Sequence, residues 1–146
     1  MDRLLIEEKI ESLRRCVRRI EDKRVATVKE REDDWDTQDI LSVNLTRAVQ
    51  LCVDIAAHII AETDEPSPNT MAEGFDRLHD IGLLPAELSN TLKGAVGFRN
   101  VAIHAYRSID WSIVHSITHD RLDDFRQFAR LIMAHLDRQS QPTDYD

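Results

Sequence analysis

The chain has 146 residues and carries 19 Lys and Arg against 27 Asp and Glu, a formal net charge of −8. That length suits one domain, which buries about 68–70% of the surface an unfolded chain exposes and needs no disulfide or metal staple. Four glycines, four prolines and 42% hydrophobic residues exclude collagenous, low-complexity and wholly disordered classes. The acidic balance argues against indiscriminate coating of nucleic acid, which draws on clustered Lys and Arg.

The N-terminal segment MDRLLIEEKIESLRR is charged throughout and has no apolar h-region, so it is not expected to act as a signal peptide. From about residue 2 to 23, Ile6, Ile10, Leu13, Val17 and Ile20 recur at steps of 4, 3, 4 and 3, the single stripe of an amphipathic helix. The polar run KEREDDWDTQ predicts a break before Asp36, with Asp36 or Thr37 capping the next helix through a side-chain oxygen. That second helix, about 38 to 61, carries Leu41, Leu45, Ala48, Cys52, Ile55 and Ile59 on one face. The acidic segment ETDEPSPNT, with two prolines, is a loop. A short third helix, about 71 to 79, stops near Gly82. Pro85 suits the first turn of a fourth helix, where its missing N–H would be unpaired anyway; this helix continues through Leu88, Leu92, Ala95 and Phe98 to about Val101. A last helix runs from behind Asp110 to about Leu136, with Leu122, Phe125, Ala129, Ile132 and Leu136 in register.

No segment alternates at period two, and no run approaches the roughly 20 apolar residues of a membrane span. The expected fold is all-α: an up-and-down bundle of four to five helices forming one domain over 1–137, with a disordered tail at 138–146. Cys16 and Cys52 lie in apolar helical patterns rather than a CxxC pair and read as buried free thiols of a reducing compartment, so the expected location is the cytoplasm.

The polar stretch Gly97-Phe98-Arg99-Asn100-Val101-Ala102-Ile103-His104-Ala105-Tyr106-Arg107 departs from the apolar pattern. On a continuous helix Arg99 and His104 would stand about 140° apart. An end of the helix near 101 to 103 is therefore expected, turning His104 back towards Arg99. A fixed cation, a titratable imidazole, an amide and a phenol would then meet in one small region. Those groups suit metal-independent RNA cleavage, in which the ribose 2′-hydroxyl attacks the adjacent phosphate. Histidine moves protons near neutrality. Arginine forks two donors onto phosphate oxygens, and Asn100 would orient the phosphate or the imidazole. By bare chemistry, the plainer reading is a helix-end arginine and a capping histidine.

The arrangement Arg99-(four residues)-His104-Ala105-Tyr106 resembles the RxxxxHxY signature of HEPN-domain toxins of the HepT type. The segments NLTRAVQLCVDIAAHII (44–60) and GLLPAELSNTLKGAVGFRNVAIHAY (82–106) resemble the same family, and the likeness spans about 40 to 132. The resemblance implies a homodimeric bundle whose two motifs meet at the subunit interface in a composite ribonuclease site. It implies Arg99 as the phosphate ligand and His104 as the acid/base, with no cofactor or metal. Tyr106 corresponds to the tyrosine that a partner nucleotidyltransferase, the MntA antitoxin of this type VII-like pair, modifies with AMP. The implied substrate is RNA, either tRNA or mRNA. The alternative is a non-catalytic substrate-binding or adaptor subunit of a nucleotidyltransferase, which would have no chemical need for the Arg99/His104 pair. The acidic segment around Asp33 to Asp39 and the loop at 65–68 fit no family feature.

On helix two, Asn44, Arg47, Asp54 and His58 fall within about 80° of one another. They read either as a solvated flank or as a shell that orients the motif and lines an RNA groove, with Asp54 and His58 close enough to hydrogen-bond. His115 and His119, one turn apart, lack a third ligand and read as an exposed face rather than a zinc site. Gly94 and Gly97 suit close helix approach near a dimer seam, or simply a flexible helix. Trp35 and Trp111 read as core or interface anchors rather than base-stacking platforms. From Lys93 to Arg107 the charges are Lys93, Arg99 and Arg107, with no Asp or Glu, so a small positive cleft is expected on an acidic body.

Overall fold

In the computed structural model, residues 2–24 and 34–140 are described. They form six α-helices and one 3₁₀ turn: α1 (Arg3–Lys23), α2 (Trp35–Ile60), α3 (Met71–Asp80), α4 (Ala86–His104), the 3₁₀ turn Tyr106–Ser108, α5 (Trp111–Asp120) and α6 (Leu122–Ser140). No strand occurs among the described residues.

The predicted stripes are the core. Ile6, Ile10, Leu13, Val17 and Ile20 of α1 are buried, and so are Leu41, Leu45, Ala48, Cys52, Ile55 and Ile59 of α2. From α6 come Leu122, Phe125, Ala129, Ile132 and Leu136, joined by Phe128, which meets Phe75 of α3 edge-on at 6.2 Å. Helix α2 is central and packs against α1, α3 and α4. Contrary to expectation, it is by length and composition apolar enough to cross a membrane, with a mean hydropathy of 1.4 over its most apolar 18 residues. Half of that stretch is buried among its neighbours, which accounts for its composition as the core helix of a bundle. Both thiols are buried and unbridged.

Local chemistry sets the ends. Asp34, not Asp36 or Thr37, caps α2: its carboxylate accepts the Thr37 backbone N–H at 3.0 Å, so the helix starts three residues earlier than expected. Most of the polar run before it (25–33) lies outside the described residues. Pro85 occupies the N-cap of α4 rather than its first turn. After α3, Gly82 adopts φ 81°, and the amides of Leu83 and Gly82 bond back to Leu78 and His79 at 2.9 Å. This left-handed turn satisfies the last carbonyls of α3 and sends the chain into α4.

The predicted final helix is two helices, because the chain breaks at Arg121. Asp123 and Asp124 stand in the first turn of α6, where carboxylates complement the exposed N–H groups. Helix α6 then continues to Ser140, three residues past the expected boundary, where Arg3 clasps it by bonding Leu136 O, Asp137 and Ser140. Residues 141–146 of the expected tail lie outside the described residues.

Candidate active site

Helix α4 does not end where the sequence suggested. It runs unbroken through His104, and the Ala105 amide still bonds Val101 O at 2.8 Å. No glycine or proline lies between 98 and 108 to stop it. Arg99 and His104 therefore share one continuous helix, about 140° apart around it and about 7.5 Å apart along it. Within one chain they do not converge. His104 is the exposed last residue, and its ring makes no hydrogen bond to another described residue.

Arg99 is half-buried and held by amides. Its Nε donates to Gln50 Oε1 at 2.8 Å, and its Nη1 donates to Asn100 Oδ1 at 3.0 Å. Gln50 in turn donates to Asp54 Oδ1 at 2.8 Å, and Lys9 lies 3.6 Å from Asp54 Oδ2. This differs from the paired cations of the surface. Arg3, Arg18, Arg77, Lys93, Arg121 and Arg126 each face a carboxylate. Neutral acceptors fix the Arg99 guanidinium without cancelling its charge, and both Nη2 hydrogens remain for a ligand.

The polar stripe of α2 divides. Asn44 is buried and turns its amide back onto Ile40 O at 2.8 Å, so it serves α2 itself. Asp54 pairs with Gln50 and Lys9 rather than with His58, which is exposed. Arg47 lines a groove of about 330 Å³ between α1 and α2 with Arg15, Arg19, Gln50 and Asp54. None of the three arginines forms an ion pair among the described residues. Their charges pull down against the burial that pushes up the Cys16 thiol between them. Gln50, which holds Arg99, thus also borders a groove with three arginines that form no ion pair among the described residues. Lys93, by contrast, is tied to Asp76 of α3 at 2.8 Å, so of the three cations expected from Lys93 to Arg107 it is the one whose charge is matched by a carboxylate.

Tyr106 opens the turn after α4 and is 40% exposed. Its hydroxyl donates to Asp39 Oδ1 at 2.7 Å, and its ring meets Trp111 edge-on at 6.2 Å. Burial and the Asp39 carboxylate together push its phenol up to about 12. Trp35 is exposed, so it is no core anchor. His115 and His119 stack with ring centroids 4.2 Å apart, and the described residues hold no group of three metal-binding side chains. Gly94 and Gly97 touch no neighbouring helix: they border an open apolar cleft of about 490 Å³ between α4, α5 and α6. Sequence reasoning missed Gln50 and Asp39. Gln50 sits three residues after Arg47 and four before Asp54, at the edge of the stripe already singled out. Asp39 lies 67 residues from Tyr106 and had no local signal beyond its acidic surroundings.

The family model for "Ribonuclease HepT-like" proteins matches residues 6–132. The chain belongs to the HepT-like ribonuclease family. A curated relative, the mRNA nuclease HepT of Shewanella oneidensis, is 33% identical over 130 residues, covering 89% of this chain and 97% of that protein. The tri-AMPylated HEPN toxin of the same organism, solved in complex with MNT antitoxin, superposes with a TM-score of 0.84 at 33% identity. It covers 92% of this chain and 99% of its own. A toxin–antitoxin structure with AMP-PNP gives a TM-score of 0.82 at 32% identity, over 90% of this chain and 99% of that one. By family this HepT-like chain is a ribonuclease of the toxin–antitoxin kind, built on the all-helical HEPN fold.

Proposed function

We propose that this HepT-like chain is a cytoplasmic toxin that cleaves mRNA or tRNA without a metal, at a site completed by a second copy of itself. The observation that carries the reading is Arg99, the guanidinium held by amides with its charge uncompensated. It binds the scissile phosphate and stabilises the charge growing on its non-bridging oxygens. His104 moves the proton of the 2′-hydroxyl or of the leaving oxygen, and Asn100 keeps the guanidinium in its plane. Arg47, with Arg15 and Arg19, takes the phosphates that flank the scissile one. Asn44, Asp54 and His58 are not assigned contact with RNA: Asn44 stiffens α2, and Asp54 orients Gln50.

Helix geometry supports the second copy. Residues 99 and 104 are symmetric about the position between 101 and 102. If two α4 helices cross antiparallel there on a two-fold axis, Arg99 of one copy faces His104 of the other. Asn100 and Ile103 straddle the same point, and Ile103 is 48% exposed. An MntA-like nucleotidyltransferase antitoxin silences the site by placing AMP on Tyr106. That adds bulk and negative charge two residues beyond His104, where an RNA phosphate would be repelled.

The test is subunit complementation. Arg99→Ala and His104→Ala should each lower cleavage of RNA in EDTA by about 10²–10⁴-fold while the bundle stays folded. Mixed and re-equilibrated, the two variants should regain activity, because the mixed dimer keeps one intact Arg99/His104 pair. Undiminished cleavage by either variant alone sinks the mechanism. Loss in both with no recovery on mixing sinks the composite site.

A further inference from the structure

The contact between Tyr106 and Asp39 serves no visible structural purpose. It joins the turn after α4 to the first turns of α2, both side chains are exposed, and the phenol gives its one proton to a carboxylate at 2.7 Å. Surface contacts of this kind contribute little to stability. The edge-on ring of Trp111 packs against the phenol, and the side chain as a whole remains 40% exposed to an incoming group. A phenol is a poor nucleophile while it keeps its proton, and this one keeps it firmly, pushed up to about 12. Any group transfer onto Tyr106 therefore needs a base in place at the moment of attack. Protein kinases meet the same need with an aspartate that accepts the proton of the substrate hydroxyl.

We propose that Asp39 is the base for nucleotidyl transfer to Tyr106, so that the modified protein carries the proton acceptor for its own modification. In the step, Tyr106 Oη attacks the α-phosphorus of a nucleoside triphosphate and the Oη–P bond forms. The bond from the α-phosphorus to the bridging oxygen breaks, and pyrophosphate leaves with the electron pair. The phenolic proton passes to Asp39 Oδ1 and then to water. The transferase need only deliver and activate the nucleotide. This inference rests on the reading that Tyr106 is the modified residue.

The experiment incubates the full chain with its cognate nucleotidyltransferase and MgATP, and follows nucleotide incorporation by intact mass. Asp39→Asn should lower the kcat of transfer by about 10²–10⁴-fold, with the KM for the toxin unchanged. Asp39→Glu, which restores a carboxylate, should recover part of the rate. Thermal unfolding checks that each variant keeps its fold. Transfer to Asp39→Asn at the wild-type rate or faster overturns the inference. So does a loss confined to KM, which would make Asp39 a docking contact. Tyr106→Phe separates the two levels. If it is unmodified, Tyr106 stands as the acceptor and the Asp39 result decides. If it is modified like the wild type, the reading beneath falls and the inference falls with it.

Discussion

The two halves of α4 are built on one pattern and end differently. In the N-terminal half, Leu88, Leu92 and Val96 are buried against the bundle. The same side of the helix continues through Arg99 and Asn100 to Ile103, but there the stripe runs off the core: Ile103 is 48% exposed. The first half stabilises the fold. The second carries Ile103 and His104, both left exposed among the described residues, and that is the surface on which the proposed second copy would sit.

Mutation should therefore separate the halves. Leu92→Ala, at a position 1% exposed, should cost about 2–5 kcal/mol of folding stability by leaving a cavity. Per folded molecule its cleavage should be unchanged, and denaturant unfolding measures the loss. Ile103→Asp should do the reverse. Its stability should stay within about 0.5 kcal/mol, as for ordinary surface changes. A carboxylate on the proposed two-fold faces its own copy, so the protein should sediment as a monomer and lose cleavage. A stable, dimeric and fully active Ile103→Asp variant would break the contrast.

The same contrast explains what could be read in advance. The stripes of α1, α2 and α6 were legible because burial on one side of a helix imposes a 3.6-residue period. The break at Arg121 was not, because the apolar spacing passes through it in step; the paired carboxylates Asp123 and Asp124 were the available signal. Arg99, His104 and Tyr106 stood out as a motif, but their partners did not. Gln50 and Asp39 reach them across 49 and 67 residues of chain, and only the packing of α2 against α4 and the turn after it brings them together. The charge count was coarse for a related reason. It treated Lys93, Arg99 and Arg107 alike, although Asp76 neutralises Lys93 and amides leave Arg99 free. It also passed over Arg15 and Arg19, which α1 brings beside Arg47.

That groove gives a smaller effect. Arg15→Ala with Arg19→Ala should weaken RNA binding without touching the chemistry at Arg99. Each lost phosphate contact removes about 0.7 from the slope of log affinity against log salt for single strands, so the pair should flatten it by about 1.4. Binding isotherms across a salt series measure this. An unchanged slope would confine RNA to the end of α4, and a selective loss of antitoxin binding would assign the groove to that partner.

The smallest effect concerns the tether between the exposed end of α4 and α2. With Tyr106 held up to about 12 against an ordinary phenol near 10, the folded chain keeps this proton where the unfolded chain has lost it. The contribution to stability is thus complete below about pH 10 and fades as pH rises through about 12. Spectrophotometric titration should show one tyrosinate step near 12 that is missing from Tyr106→Phe. In Asp39→Asn that step should fall towards, but not reach, the ordinary value, because burial contributes first and the carboxylate second. A step that does not move would leave burial as the whole cause. A step that falls all the way would make Asp39 the dominant one, and would tie the ionisation of the turn after α4 to a single residue of α2.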